Sequence, residues 1–224
     1  YLGVPESIYA IEAGKLNEPV IFPLPDQGGR LERSAIPEIL ERLPRMDAVL
    51  IGPGLGLGSG PEAVLTAVLT HAACPVVVDA DGITLLVRHM DILRGRMAPT
   101  VLTPHDGEFA RLFGPVGEDR MASARAAALD SRGIVLLKGH RTCITDGSRD
   151  YRNTTGNPGM ATGGSGDVLA GILASLLGQG LEPLEAAACA AWLHGKAGDL
   201  CAEDLGEYGM LPTDLLGYLP RLLK

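Results

Sequence analysis

The chain has 224 residues, a length that suggests one large or two small domains. Hydrophobic residues make up 46% and charged residues 21%, which is typical of a globular protein and too apolar for a disordered one. A net charge of −8 gives no overall attraction to nucleic acid or to an anionic membrane. Four scattered cysteines exclude a disulfide framework, and no signal peptide or membrane span is visible, so we expect a cytoplasmic protein.

Short β-branched runs alternate with helical stretches rich in Ala and Leu. Strands are predicted over residues 20–22, 48–51, 76–79, 101–102, 134–137 and 143–145. Helices are predicted over 36–43, 62–71, 83–86, 108–113, 120–131, 167–177, 184–203 and 213–223. This alternation predicts an α/β sandwich with a mostly parallel sheet in a single domain. The last two strands are joined by a short turn, which predicts an antiparallel meander at one edge of the sheet.

Open α/β sheets bind ligands beyond the carboxyl ends of their strands, so the residues after each strand are candidate site residues. Residues 52–60 contain five glycines. They match neither the dinucleotide fingerprint nor a P-loop, and are either a flexible turn or a loop lining a ligand. Asp79 and Asp81 follow the next strand, where they would hold Mg²⁺ through water or cap a helix. His105 follows a third strand, and is either a ligand-binding or a merely solvated histidine.

The strongest local signal is the glycine-rich segment 156–167, which runs directly into an apolar helix. The free N–H groups and the positive dipole end of such a helix start form an anion site. Asp167 lies in the first turn, where the dipole favours its ionised form. A carboxylate beside an anion site can accept a hydroxyl proton while backbone amides hold a transferring phosphoryl group.

Several motifs resemble a known family. Residues 163–171, GGSGDVLAG, resemble the C-terminal signature of the ribokinase-like superfamily. Within it, segments 79–82, 102–112, 137–142, 157–167 and 192–199 resemble the ADP-dependent NAD(P)H-hydrate dehydratases, in matching order from about Pro19 onward. The resemblance implies a ribokinase-like three-layer sandwich over residues 1–224, with a mostly parallel central sheet and an antiparallel edge.

The resemblance also implies a reaction. The substrates are the (6S)-hydrates of NADH and NADPH, which carry a hydroxyl on C6 of the reduced nicotinamide ring. ADP phosphorylates this hydroxyl, phosphate is eliminated, and NAD(P)H is regenerated with AMP and phosphate as the other products. Mg²⁺ accompanies the nucleotide, no residue is assigned as a metal ligand, and a homo-oligomer is implied.

The resemblance assigns roles to individual residues. Asp167 would take the hydroxyl proton and contact the hydrate, which Gly54 and His105 would also contact. The phosphoryl group would be cradled by Gly163, Gly164, Ser165 and Gly166. The nucleotide would lie against Lys138, Gly139, His140, Arg141, Thr142 and Asn157.

Two features depart from the resembled pattern. The family usually has proline after the histidine of the His105 motif, whereas this chain has Asp106, which is expected to loosen the loop slightly. The family's N-terminal strand, Gly-Ser loop and Gly-Ala helix start have no match here. We therefore expect that segment to be absent or removed, and the domain to be N-terminally incomplete.

Two other functions stay open at this point. A sugar or vitamin-precursor kinase of the same superfamily shares the GGSGD segment, although the His105 motif and residues 138–142 favour the dehydratase. A nucleotide-binding protein without catalysis is disfavoured by the presence of Asp167. A stable phosphorylated product would indicate the kinase.

Overall fold

A computed structural model describes residues 1–223, and Lys224, the last residue of the expected domain, lies outside the described residues. The described residues form ten strands: β1 (Leu2–Pro5), β2 (Ile21–Leu24), β3 (Asp26–Gln27), β4 (Arg30–Leu31), β5 (Val49–Ile51), β6 (Val76–Val78), β7 (Thr100–Leu102), β8 (Ile134–Leu137), β9 (Cys143–Thr145) and β10 (Asp150–Arg152). Ten α-helices lie within the same range: α1 (Glu6–Lys15), α2 (Ile36–Arg42), α3 (Ser59–His71), α4 (Asp81–Leu86), α5 (Met90–Gly95), α6 (Asp106–Phe113), α7 (Arg120–Ser131), α8 (Ser165–Gly178), α9 (Pro183–Leu205) and α10 (Leu219–Leu222). Over residues 1–223, no helix is both long and apolar enough to cross a membrane.

The central sheet has six strands in the order β10-β9-β8-β7-β6-β5. Strands β5 to β8 are parallel, β9 pairs antiparallel with β8, and β10 pairs antiparallel with β9. The predicted parallel sheet and its antiparallel edge are therefore confirmed. Because the four parallel strands end at the same edge, the residues that follow Ile51, Val78, Leu102 and Leu137 are gathered there.

Alternate side chains of β6 enter different apolar layers on the two faces of the sheet. Val76 and Val78 pack with residues of α3, α4 and α5, whereas Val77 packs with residues of α8 and α9. All three valines are fully buried, as expected of a parallel strand that is covered on both faces. Helices thus cover both faces, and the three-layer sandwich is confirmed.

Most predicted elements agree with the observed ones to within three residues at each end. The predicted helix over residues 213–223 is wrong. A 3-10 helix, Pro212–Gly217, is followed there by the short helix α10. Pro220 falls in the first turn of α10, where its missing N–H is tolerated, but inside one continuous helix it would remove a hydrogen bond and clash with the preceding turn.

The sequence-based reasoning missed the first two elements of the chain. Strand β1 pairs in parallel with β2 in a separate two-stranded sheet, and Val4 is the one buried residue of β1. Helix α1 has ten residues and buries none of them. An element with at most one buried residue carries no apolar periodicity, so the pattern could not reveal either of them. Strand β10 was missed for the same reason, since its three residues are exposed.

Candidate active site

The carboxyl ends of the parallel strands open into a cavity of about 930 Å³, a volume typical of a small-molecule site. The loops after β6, β7 and β8, the segment before α8, and helix α9 form its walls. Predicted site residues that line it are His105, Lys138, Gly139, His140, Arg141, Thr142, Asn157, Gly164, Ser165, Gly166 and Asp167. Gly163 lies next to this wall without lining it, and Gly54 lies in the loop after β5, outside the lining.

The start of helix α8 forms one wall of the cavity. Gly164 is the N-cap residue, with φ of +92°, and no side chain caps the helix. A left-handed backbone of this kind favours glycine, and the uncapped N–H groups with the positive end of the dipole attract an anion. The Lys138 ammonium adds positive charge to this end of the helix. Its Nζ lies 3.4 Å from the position that a Cβ on Gly166 would occupy.

Lys138 is held by a buried carboxylate. Its Nζ donates a 2.7 Å hydrogen bond to Oδ1 of Asp79, whose side chain is 1% exposed. The Thr103 hydroxyl donates to the same oxygen at 2.8 Å, and Oε2 of Glu108 lies 3.8 Å from the ammonium. The carboxylate therefore fixes the direction in which the lysine points across the cavity.

Asp167 lies in the first turn of α8 and also lines the cavity. Burial raises the pKa of its carboxyl, the charge of Asp79 raises it further, and the Lys138 ammonium opposes both effects. We expect the helix dipole to favour the ionised form of Asp167. In the structure, burial and the charge of Asp79 act on its pKa in the opposite direction. A carboxylate with a raised pKa is a stronger base than an ordinary aspartate, which suits proton abstraction.

Negative charges outnumber positive charges around Lys138, which affects whether the site suits Mg²⁺. Three carboxylates, those of Asp79, Glu108 and Asp167, interact with the single ammonium of Lys138. Phosphates entering such a site are better accommodated with a divalent cation. No group of three or more metal-ligating side chains was found anywhere in residues 1–223. The oxygen donors of these carboxylates fit Mg²⁺, which is usually held by one or two carboxylates together with phosphate and water oxygens.

His105 caps the helix that follows it. Its Nδ1 accepts hydrogen bonds from the backbone N–H groups of Gly107 at 2.9 Å and Glu108 at 3.2 Å. The Glu108 carboxylate in turn accepts from the His105 N–H, which completes a capping box. Since Nδ1 is an acceptor here, the proton of the neutral ring is on Nε2. The ring is half exposed and lines the cavity.

The loop after β5 is a structured turn. Gly52 has φ of +132°, and a Cβ there would lie 1.8 Å from the carbonyl oxygen of Asp79. The Asp81 carboxylate accepts a 2.8 Å hydrogen bond from the Gly56 N–H, so it anchors this loop. Neither Asp79 nor Asp81 caps α4, whose N-cap residue is Ala80.

The segment between β10 and α8 rests on helix α9. The Asp199 carboxylate accepts from the Gly156 N–H at 3.1 Å and from Nδ2 of Asn157 at 3.3 Å. Oδ1 of Asn157 accepts from the Gly159 N–H at 3.0 Å. Both polar atoms of this amide are thus engaged within the protein, so Asn157 shapes the loop as well as lining the cavity.

Two small residues of α9 make room for this segment. A Cβ on Gly195 would lie 2.2 Å from Oγ1 of Thr155, and a Cβ on Gly198 would lie 2.3 Å from Sδ of Met160. The Thr155 hydroxyl donates a 3.0 Å hydrogen bond to the Trp192 carbonyl. The loop therefore depends on the absence of side chains at these helical positions.

We expect Gly195→Ala to destabilise the protein by about 1–3 kcal/mol, because the new methyl group displaces Thr155. Gly171→Ala is the matched control: Gly171 is also helical, but no atom lies within 4 Å of its Cβ position. That variant should gain up to about 1 kcal/mol from helix propensity. Urea unfolding measures both free energies, and equal effects at the two positions would contradict the packing described here.

A buried histidine supports the start of α8. Nε2 of His194, on α9, lies 3.3 Å from Oγ of Ser165, and both residues are buried. Burial lowers the pKa of His194 to about 4, and a backbone hydrogen bond with Ser165 opposes this only in part. The ring is therefore neutral at pH 7 and adds no charge to the anion site.

His194 gives the protein a specific pH dependence. Between the ordinary histidine pKa of about 6.5 and its folded value of about 4, only the unfolded chain binds the proton, so stability falls as the pH is lowered. From pH 7 to pH 5 we expect His194 to account for a loss of about 2 kcal/mol.

His194→Gln should remove the loss of about 2 kcal/mol in unfolding free energy between pH 7 and pH 5. His71→Gln, at an exposed histidine of α3, should retain it. Urea unfolding at the two pH values measures the difference. An unchanged pH dependence in His194→Gln would show that the ring is not buried in its neutral form.

Asp106 ties its loop to helix α7 through an ion pair. The carboxylate pairs at 2.7 Å with NH1 of Arg120, the first residue of α7. This pair lowers the pKa of Asp106 and raises that of Arg120. The loosening expected from the missing proline is thus opposed by an ion pair that local sequence could not reveal.

Sequence reasoning gave no role to Thr155, His194 or Asp199, and it missed the contact between Lys138 and Asp79. A signal existed for two of them, since His194 and Asp199 fall in the resembled segment 192–199. Nothing in the sequence showed which face of α9 would meet the glycine-rich loop.

Comparison with known proteins agrees with this geometry. The family model for NAD(P)H-hydrate dehydratase matches residues 12–221. A bifunctional NAD(P)H-hydrate repair enzyme of Moorella thermoacetica is 45% identical over 99% of this chain and 43% of its own length. The chain spans less than half the length of the curated relatives it matches.

Solved structures show the same fold. An ADP/ATP-dependent NAD(P)H-hydrate dehydratase from Bacillus subtilis, co-crystallised with ATP and Mg²⁺, aligns with a TM-score of 0.78 at 27% identity, over 98% of this chain and 76% of that one. A ribokinase-like superfamily protein from Enterococcus faecalis aligns with a TM-score of 0.75 at 34% identity, over 85% of this chain and 67% of that one. The fold is ribokinase-like, and the chain belongs to the NAD(P)H-hydrate dehydratase family.

Proposed function

We propose that this chain dehydrates (6S)-NADH hydrate and (6S)-NADPH hydrate in an ADP-dependent reaction that releases AMP and phosphate. The observation that carries the proposal is a single cavity that brings together the uncapped start of α8, the Lys138 ammonium and the Asp167 carboxylate. An anion site beside a base of raised pKa suits phosphoryl transfer to a hydroxyl.

Asp167 acts as the base in the first step. Its carboxylate takes the proton of the C6 hydroxyl while the hydroxyl oxygen attacks the β-phosphorus of ADP. The bond from that phosphorus to the bridging oxygen breaks, and AMP leaves. The backbone of Gly163, Gly164, Ser165 and Gly166 holds the transferring phosphoryl group, and its N–H groups offset the charge that develops.

Phosphate leaves in the second step. The lone pair of the ring nitrogen expels it from C6, and loss of a proton from the neighbouring ring carbon completes the dehydration. Phosphate is a better leaving group than hydroxide. The site therefore needs no separate acid for the loss of water.

The two ligands occupy different parts of the cavity wall. Residues 138–142, with Asn157, hold the nucleotide, while His105 and Asp167 contact the hydrate, which extends beyond the cavity lining to Gly54 in the loop after β5. Nε2 of His105 is the ring nitrogen that faces a ligand, because Nδ1 caps α6, and Oε1 of Glu108 lies 3.5 Å from it. Mg²⁺ supplies charge neutralisation for the phosphates when bound with the nucleotide.

The test is to incubate NADH hydrate with the protein, ADP and Mg²⁺ and to follow the return of NADH absorbance. We expect recovery that requires ADP and is faster with ADP than with ATP. A stable phosphorylated hydrate, without NADH, would indicate a kinase, and nucleotide binding without either product would indicate a non-catalytic binding protein.

The family resemblance further suggests a homo-oligomer of single-domain chains in the cytoplasm, with residues 1–224 as the domain. Light scattering at micromolar concentration measures the mass, and a monomer would count against the assembly.

A further inference from the structure

Two loops of the site are joined by backbone and side-chain contacts. We define the nucleotide loop as residues 138–142 and the His105 loop as residues 103–108. The Lys138 N–H donates a 2.8 Å hydrogen bond to the Pro104 carbonyl. Arg120 makes a second connection: NH1 binds the Asp106 carboxylate at 2.7 Å, and NH2 donates to the Lys138 carbonyl at 2.9 Å.

The nucleotide loop is shaped to receive this guanidinium. Gly139 has φ of +152°, and a Cβ there would lie 2.8 Å from NH2 of Arg120. The arginine thus packs directly beneath the peptide that follows Lys138. Its Nε is buried without a hydrogen-bond partner among the described residues, so only the two terminal nitrogens fix its position.

Neither Arg120 nor Asp106 lines the cavity. We infer that Arg120 is a positioning residue of the nucleotide loop and that Asp106 holds it in place, so that this ion pair joins the His105 loop to the nucleotide loop. The connection between the loops stands on the contacts alone. Its effect on nucleotide binding rests on the proposed function, since a positioned nucleotide loop matters only if a nucleotide binds there.

The direction of the effect follows from the contacts. The Lys138 carbonyl fixes the orientation of the peptide that leads into Gly139, and thereby the orientation of the next N–H groups in the loop. Without Arg120 that carbonyl loses a charged donor, and the loop samples other conformations. Without Asp106 the guanidinium keeps one of its two anchors.

Asp106→Pro is the decisive variant because it separates the ion pair from the stability of α6. Asp106 is the first residue of α6, and its N–H donates to no described group. His105 already has the extended backbone that a following proline requires, with φ of −81° and ψ of 172°. Proline is favoured at this position, so we expect α6 and the melting temperature to be retained.

The first readout needs no ligand. Hydrogen exchange of the Lys138 amide, whose N–H donates to the Pro104 carbonyl, should accelerate by about tenfold in Arg120→Met and by about threefold in Asp106→Pro and Asp106→Asn. Arg125→Met is the matched control, since this arginine of α7 pairs with Asp150 away from the cavity. Unchanged exchange in Arg120→Met would overturn the inference.

The second readout is the dissociation constant for ADP by calorimetry. It should rise by about tenfold in Arg120→Met and by about threefold in Asp106→Pro. The double variant should be no weaker than Arg120→Met, because Asp106 acts through Arg120. Additive losses, or a wild-type affinity in Asp106→Pro, would contradict the role of Asp106.

The two readouts separate the two failures. If the wild-type protein binds no ADP while exchange still responds to both substitutions, the proposed function fails and the connection between the loops stands. If ADP binds normally to every variant and exchange is unchanged, the connection fails and the proposed function stands.

Discussion

Replacing Asp167 with asparagine is expected to lower turnover by about 10²–10⁴-fold, because a positioned base typically contributes that much. Asparagine keeps the size and much of the polarity of the side chain but cannot accept the hydroxyl proton. The affinity for ADP should change by less than about tenfold, since we propose that backbone N–H groups form the phosphoryl site. Recovery of NADH absorbance and calorimetry with ADP measure the two quantities on the same protein.

A matched control separates catalysis from helix stability. Asp91 also lies in the first turn of a helix, α5, but it does not line the cavity. Asp91→Asn should keep full turnover. If Asp167→Asn is folded and retains most of its turnover, Asp167 is only a helix-start carboxylate and the catalytic role of the glycine-rich loop is lost with it.

Lys138→Met is expected to cost about 3–5 kcal/mol of stability and to weaken ADP binding strongly. The substitution leaves the Asp79 carboxylate, which is 1% exposed, with the Thr103 hydroxyl as its remaining side-chain donor in the described structure. It also removes the ammonium beside the start of α8. Urea unfolding and ADP calorimetry at pH 7.5 measure the two effects.

The double variant Asp79→Asn/Lys138→Met distinguishes the two roles of the lysine. With both charges removed, most of the lost stability should return, because the buried Asp79 charge that the ammonium compensated is gone and Glu108 still accepts a hydrogen bond from the His105 N–H. ADP binding should stay weak, because the ammonium is still absent. If Lys138→Met were as stable as the wild type, or if the double variant kept wild-type ADP affinity, the described pairing of Lys138 with Asp79 and its role at the start of α8 would be contradicted.

Local sequence was enough to find the parts of the site that are continuous in the chain. The glycine-rich segment and Asp167 lie within 12 residues, and the helix that follows has a clear apolar face. Likewise the fully apolar strand β6 indicated a sheet covered on both faces, which set the fold class. Such features depend on neighbours along the chain, and periodicity detects them.

Contacts between distant residues were outside the reach of that reasoning. Asp79 and Lys138 are 59 positions apart, and their pairing depends on two strands ending at the same edge of the sheet. The partner of Asp106 lies 14 positions away, on a helix whose rotation the sequence does not define. The raised pKa of Asp167 has the same origin, since burial and Asp79 cause it. Tertiary structure, not local preference, therefore determines the electrostatics of the site.

The central claim is that ADP phosphorylates the C6 hydroxyl before the C6–oxygen bond breaks. The most direct test uses NADH hydrate carrying ¹⁸O in that hydroxyl, with ADP and Mg²⁺, and mass spectrometry of the released phosphate. The proposed mechanism predicts that the label appears in phosphate, in an amount equal to the NADH formed, because the hydroxyl oxygen leaves bonded to phosphorus. Label found in water, with unlabelled phosphate, would contradict it.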